Sequence, residues 1–186
     1  MKNPKVFCIG LYKTGTMSLG RALILLGYRV CPAEAVRRAR YSLPPDASSG
    51  EVFECVKALI EQYDAFRNIP WHAVYRECAS AYPDAKFILT TRGKETWLPS
   101  VLAHFSRNSQ TPKQPTEYLQ IYERHEREVR DFFASQPQRL LVLDIEKADW
   151  EPVCRFLGRR RPVFRVFPHR NRTDMRGKLH LQKVLS

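Results

Sequence analysis

Residues 5–20, KVFCIGLYKTGTMSLG, constrain this chain more than any other stretch. The apolar run 6–9 predicts a buried strand. It enters a turn that holds Gly10, Lys13, Thr14, Gly15 and Thr16. A helical pattern begins at once, with Leu19, Ala22, Leu23 and Leu26 on one face. A strand passing through a polar, Gly-bearing turn into a helix N-terminus is how an α/β protein holds a phosphate-like anion. Backbone N–H groups and the positive end of the helix dipole face the anion, and a lysine adds a full charge.

The rest of the chain repeats the alternation. Lys86–Thr91 (KFILTT) and 139–145 (RLLVLDI) read as buried strands, with shorter strands expected at 28–31 and 65–69. Helices are expected over 15–26, 51–63, 71–81, 94–105, 116–134 and 150–157, and loops over 41–50 and 107–115. Apolar strands separated by helices predict an α/β fold with a central, mostly parallel sheet covered on both faces. A ligand belongs at the carboxyl ends of such strands. Residues 10–16, 68–70, Arg92 and Asp144 all fall there. With 186 residues, one domain over 1–186 is expected, with a basic, partly irregular segment from about residue 159.

Composition narrows the classes. An apolar fraction of 44% predicts a folded core, and no run approaches the roughly 20 apolar residues of a membrane span. A first strand beginning by Val6 leaves no room for a signal peptide. The cysteines Cys8, Cys31, Cys55, Cys78 and Cys154 form no CxxC pair. They read as reduced thiols, Cys8 and Cys154 in the core, and a cytoplasmic location is expected. No His/Cys/Glu spacing suggests a metal site. Net charge is +12, and residues 155–186 hold ten Arg or Lys against one acid, Asp174. Such a surface either attracts an anionic partner or is simply solvated. No aromatic-interleaved basic motif points to specific nucleic-acid recognition.

The turn departs from the nucleotide-triphosphate motif GxxxxGK[ST]. Gly10 and Gly15 have its spacing, but Thr16 and Met17 follow, so the lysine for the β/γ-phosphates and the hydroxyl for Mg²⁺ are both missing. Lys13 sits inside the turn instead. Asp144 imitates a metal-binding strand-end aspartate, and it equally fits an ordinary strand cap. A second signal is Arg92, at a strand end, with Ser100 eight residues on. Arginine suits bidentate phosphate binding and serine adds a hydroxyl donor. Taken alone, Arg92 is equally well read as the partner of a carboxylate.

Together these motifs resemble the sulfotransferase family that uses 3′-phosphoadenosine 5′-phosphosulfate (PAPS). The family's K-[ST]-G-T core is similar to Lys13-Thr14-Gly15-Thr16, followed here by Met17-Ser18, and its strand-end Arg and later Ser match Arg92 and Ser100. YPDAKFILTTRGKETWLPSV (82–101), DWEPVCRFLG (149–158) and FPHRN (167–171) resemble a branch of small sulfotransferases. The likeness implies a three-layer α/β/α fold with a P-loop-like 5′-phosphosulfate-binding loop. It implies transfer of a sulfuryl group from PAPS to a hydroxyl or amine, leaving adenosine 3′,5′-bisphosphate and needing no metal.

By that resemblance, Lys13 neutralises the leaving group. Thr14, Gly15, Thr16, Met17 and Ser18 cradle the 5′ end, and Arg92 and Ser100 fix the 3′-phosphate. Relatives carry His or Asp two residues before a proline, where this chain has Asn68. Asparagine orients a hydroxyl but takes no proton at neutral pH, so His72, four residues on, is the candidate base provided a helix starts near Trp71. Trp71 and Trp97 are read as pocket walls or core plugs, and His104 and His169 as structural. Arg176-Gly177-Lys178 resembles a segment that wraps the 3′-phosphate. Expected partners are a small-molecule or glycan acceptor and an anionic partner for the basic segment, with a homodimer as one way to complete an acceptor pocket. The alternatives are a non-catalytic anion binder of the same fold and a divergent P-loop kinase.

Overall fold

The computed structural model describes residues 4–41, 43–107, 113–163 and 165–168. Four strands, β1 (Val6–Cys8), β2 (Ala65–Phe66), β3 (Lys86–Thr91) and β4 (Leu140–Asp144), form one sheet in the order β2-β1-β3-β4. Every pairing is parallel, with Phe7 opposite both Phe66 and Phe87, and Leu89 opposite Val142. The chain steps from β1 to one side and then to the other, so the order reverses between β1 and β3. In a parallel sheet that reversal opens a crevice at the carboxyl ends of the strands.

Strand alternation sends side chains to two apolar layers. Phe7 stacks on Phe66 at 4.7 Å and on Phe87 at 5.3 Å. That face is covered by α3 (Ser49–Gln62), α4 (Tyr75–Ala81) and α6 (Pro115–Phe132), through Val56, Ile60, Cys78 and Val129. Val6, Cys8 and Ile88 face the other way, onto Leu19 and Leu23 of α1 (Thr16–Leu25) and Trp150 and Val153 of α7 (Trp150–Leu157). A third cluster, Leu11, Trp97, Val101, Tyr118 and Tyr122, joins the turn after β1 to α5 (Lys94–Arg107) and α6. The expected layering of helices on both faces of a parallel sheet is what the chain adopts.

Local differences have local causes. The strand expected at 28–31 is a single bridge, Val30 to Ala65. Residues 33–39, not expected as a helix, form α2 (Ala33–Ala39), which buries Val36 alone. α3 begins at Ser49 because Ser48 and Glu51 close a capping box, a signal legible in S-S-G-E. The strand expected over 65–69 stops at Phe66, since Asn68 turns the chain at φ 67°. Successive bonds, Trp71 N–H to Asn68 C=O and Ala73 N–H to Pro70 C=O, then build turns through His72. The helix expected from 71 therefore starts at Tyr75, and His72 lies on a turn rather than at a helix start. Among the basic residues from 155 onward, Arg155 pairs with Glu151, Arg161 with Asp149, and Arg159 covers the Tyr28 ring. His169 and residues 170–186 lie outside the described residues.

Candidate functional site

Tight backbone contacts shape the turn between β1 and α1. An added Cβ on Gly10 would stand 2.0 Å from Thr90 Oγ1 and 2.5 Å from the Thr90 carbonyl of β3. Gly15 takes φ 88° as the N-cap of α1 and presses on the Ile145 side chain. Lys13 also takes a positive φ, 65°, which is strained for a residue with a Cβ. The first turn of α1 has no side-chain cap and no acidic residue. Its N–H groups and dipole are thus left to an anion.

The hydroxyls divide into two groups. Thr14, fully buried, donates to the Leu11 carbonyl at 2.6 Å and pairs with the Thr90 hydroxyl at 2.7 Å. In this structure the hydroxyl braces the turn from inside, against Thr90 of β3. Thr16 donates to Asn68 Oδ1, so Asn68 stands beside the first turn of α1. Asparagine tolerates positive φ, which supplies a backbone reason for Asn68 besides any chemistry. Met17 is 39% exposed, with its sulfur 2.6 Å from Arg67 Nη1 and 3.7 Å from Asn68 Nδ2. Ser18 is buried on the same helix.

Arg92 follows β3 and reaches back to the turn: its Nη1 donates to the Lys13 carbonyl at 3.4 Å. Its Nε donates to Thr96 Oγ1 at 3.1 Å and lies 3.5 Å from Glu146 Oε1. Arg92 therefore has a carboxylate partner, and its guanidinium also meets the main chain of the turn after β1. Burial pushes the Glu146 carboxyl up, but hydrogen bonds from Thr96 and the Gly93 N–H, with the charge of Arg92, outweigh it and hold it below the usual range. Ser100 is buried on α5, two turns beyond Arg92. Trp97 and Trp71 are both fully buried plugs. Trp97 also fastens the turn, donating its indole N–H to the Tyr12 carbonyl at 2.9 Å. Asp144 caps the bend after β4 by accepting from the Glu146 N–H at 3.0 Å. Among the described residues no three His, Cys, Asp or Glu side chains gather as metal ligands, and no helix is long and apolar enough to cross a membrane.

His72 packs edge-on against His125 of α6, ring centroids 6.0 Å apart. His125 Nε2 meets the Ile9 carbonyl at 2.7 Å, at the end of β1. Burial, then the neighbouring His125 and Arg40, pull His72 down to about 4. Burial also lowers His125, against a raising contribution from its Ile9 bond. Both imidazoles are neutral at neutral pH. His72 thus stabilises the fold fully above about pH 6.5, and that contribution drains as the unfolded chain takes up a proton the folded one refuses, at up to about 1.4 kcal/mol per pH unit. The melting temperature is expected to fall on acidification from pH 6.5 to 4, and His72→Asn to flatten the fall. An unchanged slope in the variant would contradict this assignment.

Sequence reasoning did not find Thr90, Tyr122, His125 or Glu146. Tyr122 carried a signal only as an apolar position of an amphipathic helix, and the others carried none, because their partners are 30 to 116 residues away in sequence.

Comparison with known proteins identifies the family and the fold. The family model described as "Sulfotransferase domain" matches residues 5–119 and 101–175. A protein of Aspergillus versicolor, "Ava biosynthesis cluster protein M", is 26% identical over 229 aligned positions, covering 95% of this chain and 84% of its own length. Two solved structures share the fold. A sulfotransferase from Alicyclobacillus acidocaldarius has a TM-score of 0.54 and 18% identity, covering 100% of this chain and 93% of that one. The sulfotransferase domain of the Synechococcus PCC 7002 olefin synthase has a TM-score of 0.54 and 19% identity, covering 85% of this chain and 74% of that one. A turn without the triphosphate lysine, an arginine returning to it from β3, and a family match spanning both motifs lead to one assignment: this chain belongs to the sulfotransferase domain family.

Proposed function

We propose that the protein transfers a sulfuryl group from PAPS to a hydroxyl or amine of a small-molecule or glycan acceptor. The observation that carries the reading is the 3.4 Å approach of the Arg92 guanidinium to the Lys13 carbonyl. This contact supports reading Arg92 and the turn as the grips for the two anionic ends of one donor. The uncapped, acid-free start of α1 fits a 5′-phosphosulfate, which Lys13 and the N–H groups of Gly15, Thr16, Met17 and Ser18 would hold. Arg92 and Ser100 would hold the 3′-phosphate.

The chemistry parallels phosphoryl transfer, an in-line displacement in which positioning and charge stabilisation carry most of the effect. The sulfur–oxygen bond to the leaving phosphate breaks, and a bond from the acceptor oxygen or nitrogen to sulfur forms. Lys13 offsets charge growing on the bridging oxygen. Asn68, held by Thr16, orients the acceptor, whose proton is released as its bond to sulfur completes.

Adenosine 3′,5′-bisphosphate is expected to raise the melting temperature by several degrees without Mg²⁺, as ligand held far above its Kd must. Labelled sulfate should pass from PAPS to at least one member of a panel of phenols, alcohols and amines. No shift at millimolar bisphosphate in folded protein would refute the reading. A response to ATP that requires Mg²⁺ would favour a divergent kinase instead, and bisphosphate binding with no transfer across the panel would favour a non-catalytic binder.

A further inference from the structure

The sheet ladder on β3 ends at Thr91, whose carbonyl accepts from the Ile145 N–H at 3.0 Å. The next residue, Arg92, has its main chain secured by a side chain from another layer. Tyr122 Oη accepts from the Arg92 N–H at 2.9 Å and donates to the Arg92 carbonyl at 2.9 Å. One phenol oxygen thus takes both main-chain groups of this arginine. Burial raises the Tyr122 pKa, so the hydroxyl keeps the proton it donates. The ring is buried and packs on Trp97 with centroids 4.4 Å apart, while the Trp97 indole holds the Tyr12 carbonyl of the anion turn. The side chain of Arg92 is separately oriented by Thr96 and Glu146.

We propose that Tyr122 is a positioning residue that sets affinity for the 3′-phosphate of the nucleotide by fixing the Arg92 main chain across the crevice. This rests on the reading of Arg92 given above. Two main-chain hydrogen bonds define where the Cα of Arg92 sits and where its guanidinium starts from. Losing both lets the strand end move, and a displacement of about 1 Å is enough to spoil a bidentate contact. Tyr122→Phe keeps the ring against Trp97 and removes only the oxygen.

The test compares binding of adenosine 3′,5′-bisphosphate to the wild-type protein, Tyr122→Phe, Arg92→Gln and the double variant, by thermal shift up to millimolar ligand. Tyr122→Phe is expected to bind about tenfold more weakly than wild type. In the Arg92→Gln background the same change should cost less than twofold, because the tyrosine acts through the arginine. Adenosine 5′-phosphosulfate, which lacks the 3′-phosphate, should bind wild type and Tyr122→Phe alike within twofold. Wild-type affinity in Tyr122→Phe, or an equal loss in both backgrounds, would overturn the inference while leaving the donor assignment standing. A wild-type protein that ignores the bisphosphate would remove the donor assignment itself. Should Tyr122→Phe fail to fold, amide exchange in the wild type decides: the Arg92 N–H is expected to be protected to nearly the extent of the β3 core, and rapid exchange would overturn the proposal.

Discussion

Replacing Lys13 with methionine is expected to lower kcat by about 10²- to 10³-fold, or roughly 3–4 kcal/mol of transition-state stabilisation. The affinity for adenosine 3′,5′-bisphosphate should fall by less than tenfold. The reason is where charge develops. In the donor, the bridging oxygen shares its electrons with sulfur. As that bond breaks, negative charge collects on the oxygen, and a fixed ammonium gains more from the transition state than from the ground state. Methionine retains an unbranched stem of similar length, so packing changes little. The substitution also adds no new backbone penalty, because Lys13 already lies at φ 65° and methionine meets the same steric conflict there. Turnover is measured with an acceptor from the panel at saturating PAPS, and folding by circular dichroism. A fall in affinity with kcat unchanged would show that Lys13 merely binds the donor. Unaltered kcat and affinity would remove it from the site altogether.

Gly10→Ala is expected to lower the melting temperature by roughly 6–12 °C, and with it nucleotide binding. The new Cβ would lie 2.0 Å from Thr90 Oγ1, 2.5 Å from the Thr90 carbonyl and 2.8 Å from Thr14 Oγ1. A hydroxyl can rotate away, but the Thr90 carbonyl is backbone of a central strand. Either β1 separates from β3 at its carboxyl end or the turn shifts outward, and the Thr14–Thr90 bond breaks in both cases. Overpacking of this kind costs about 3 kcal/mol or more when backbone must move, and each kcal/mol shifts the melting point by about 2–4 °C at this size. Gly50→Ala is the control. Gly50 is exposed on α3, an added Cβ meets nothing within 4 Å, and alanine there is expected to be neutral or to stabilise by up to about 1 kcal/mol. If both variants melt alike, the turn is looser than its contacts imply.

The anion turn was legible in the sequence because its parts are contiguous. Apolar run, glycines, lysine and helix all occur within residues 5–20, and local sterics fix how such a segment folds. The buried strand 86–91 and the final helix 150–157 were legible for the same reason, since periodicity and length suffice to define each. The region after β2 was misread because a positive φ at Asn68 leaves no mark on hydrophobic spacing, and it delayed the helix to Tyr75. The internal bonds of Thr14 left no local mark in the sequence either. Its actual partner, Thr90, is 76 residues away.

The alternation of strands and helices, and the strand–turn–helix at the start of the chain, follow from the sequence because each arises from residues near one another. The tertiary structure alone decided that Arg92 meets Lys13, that Glu146 balances Arg92, and that Tyr122 and His125 of α6 hold the ends of β3 and β1. Those contacts join segments that only a shared sheet and its covering helix bring together. Strand order is set by packing and crossover handedness rather than by any local pattern.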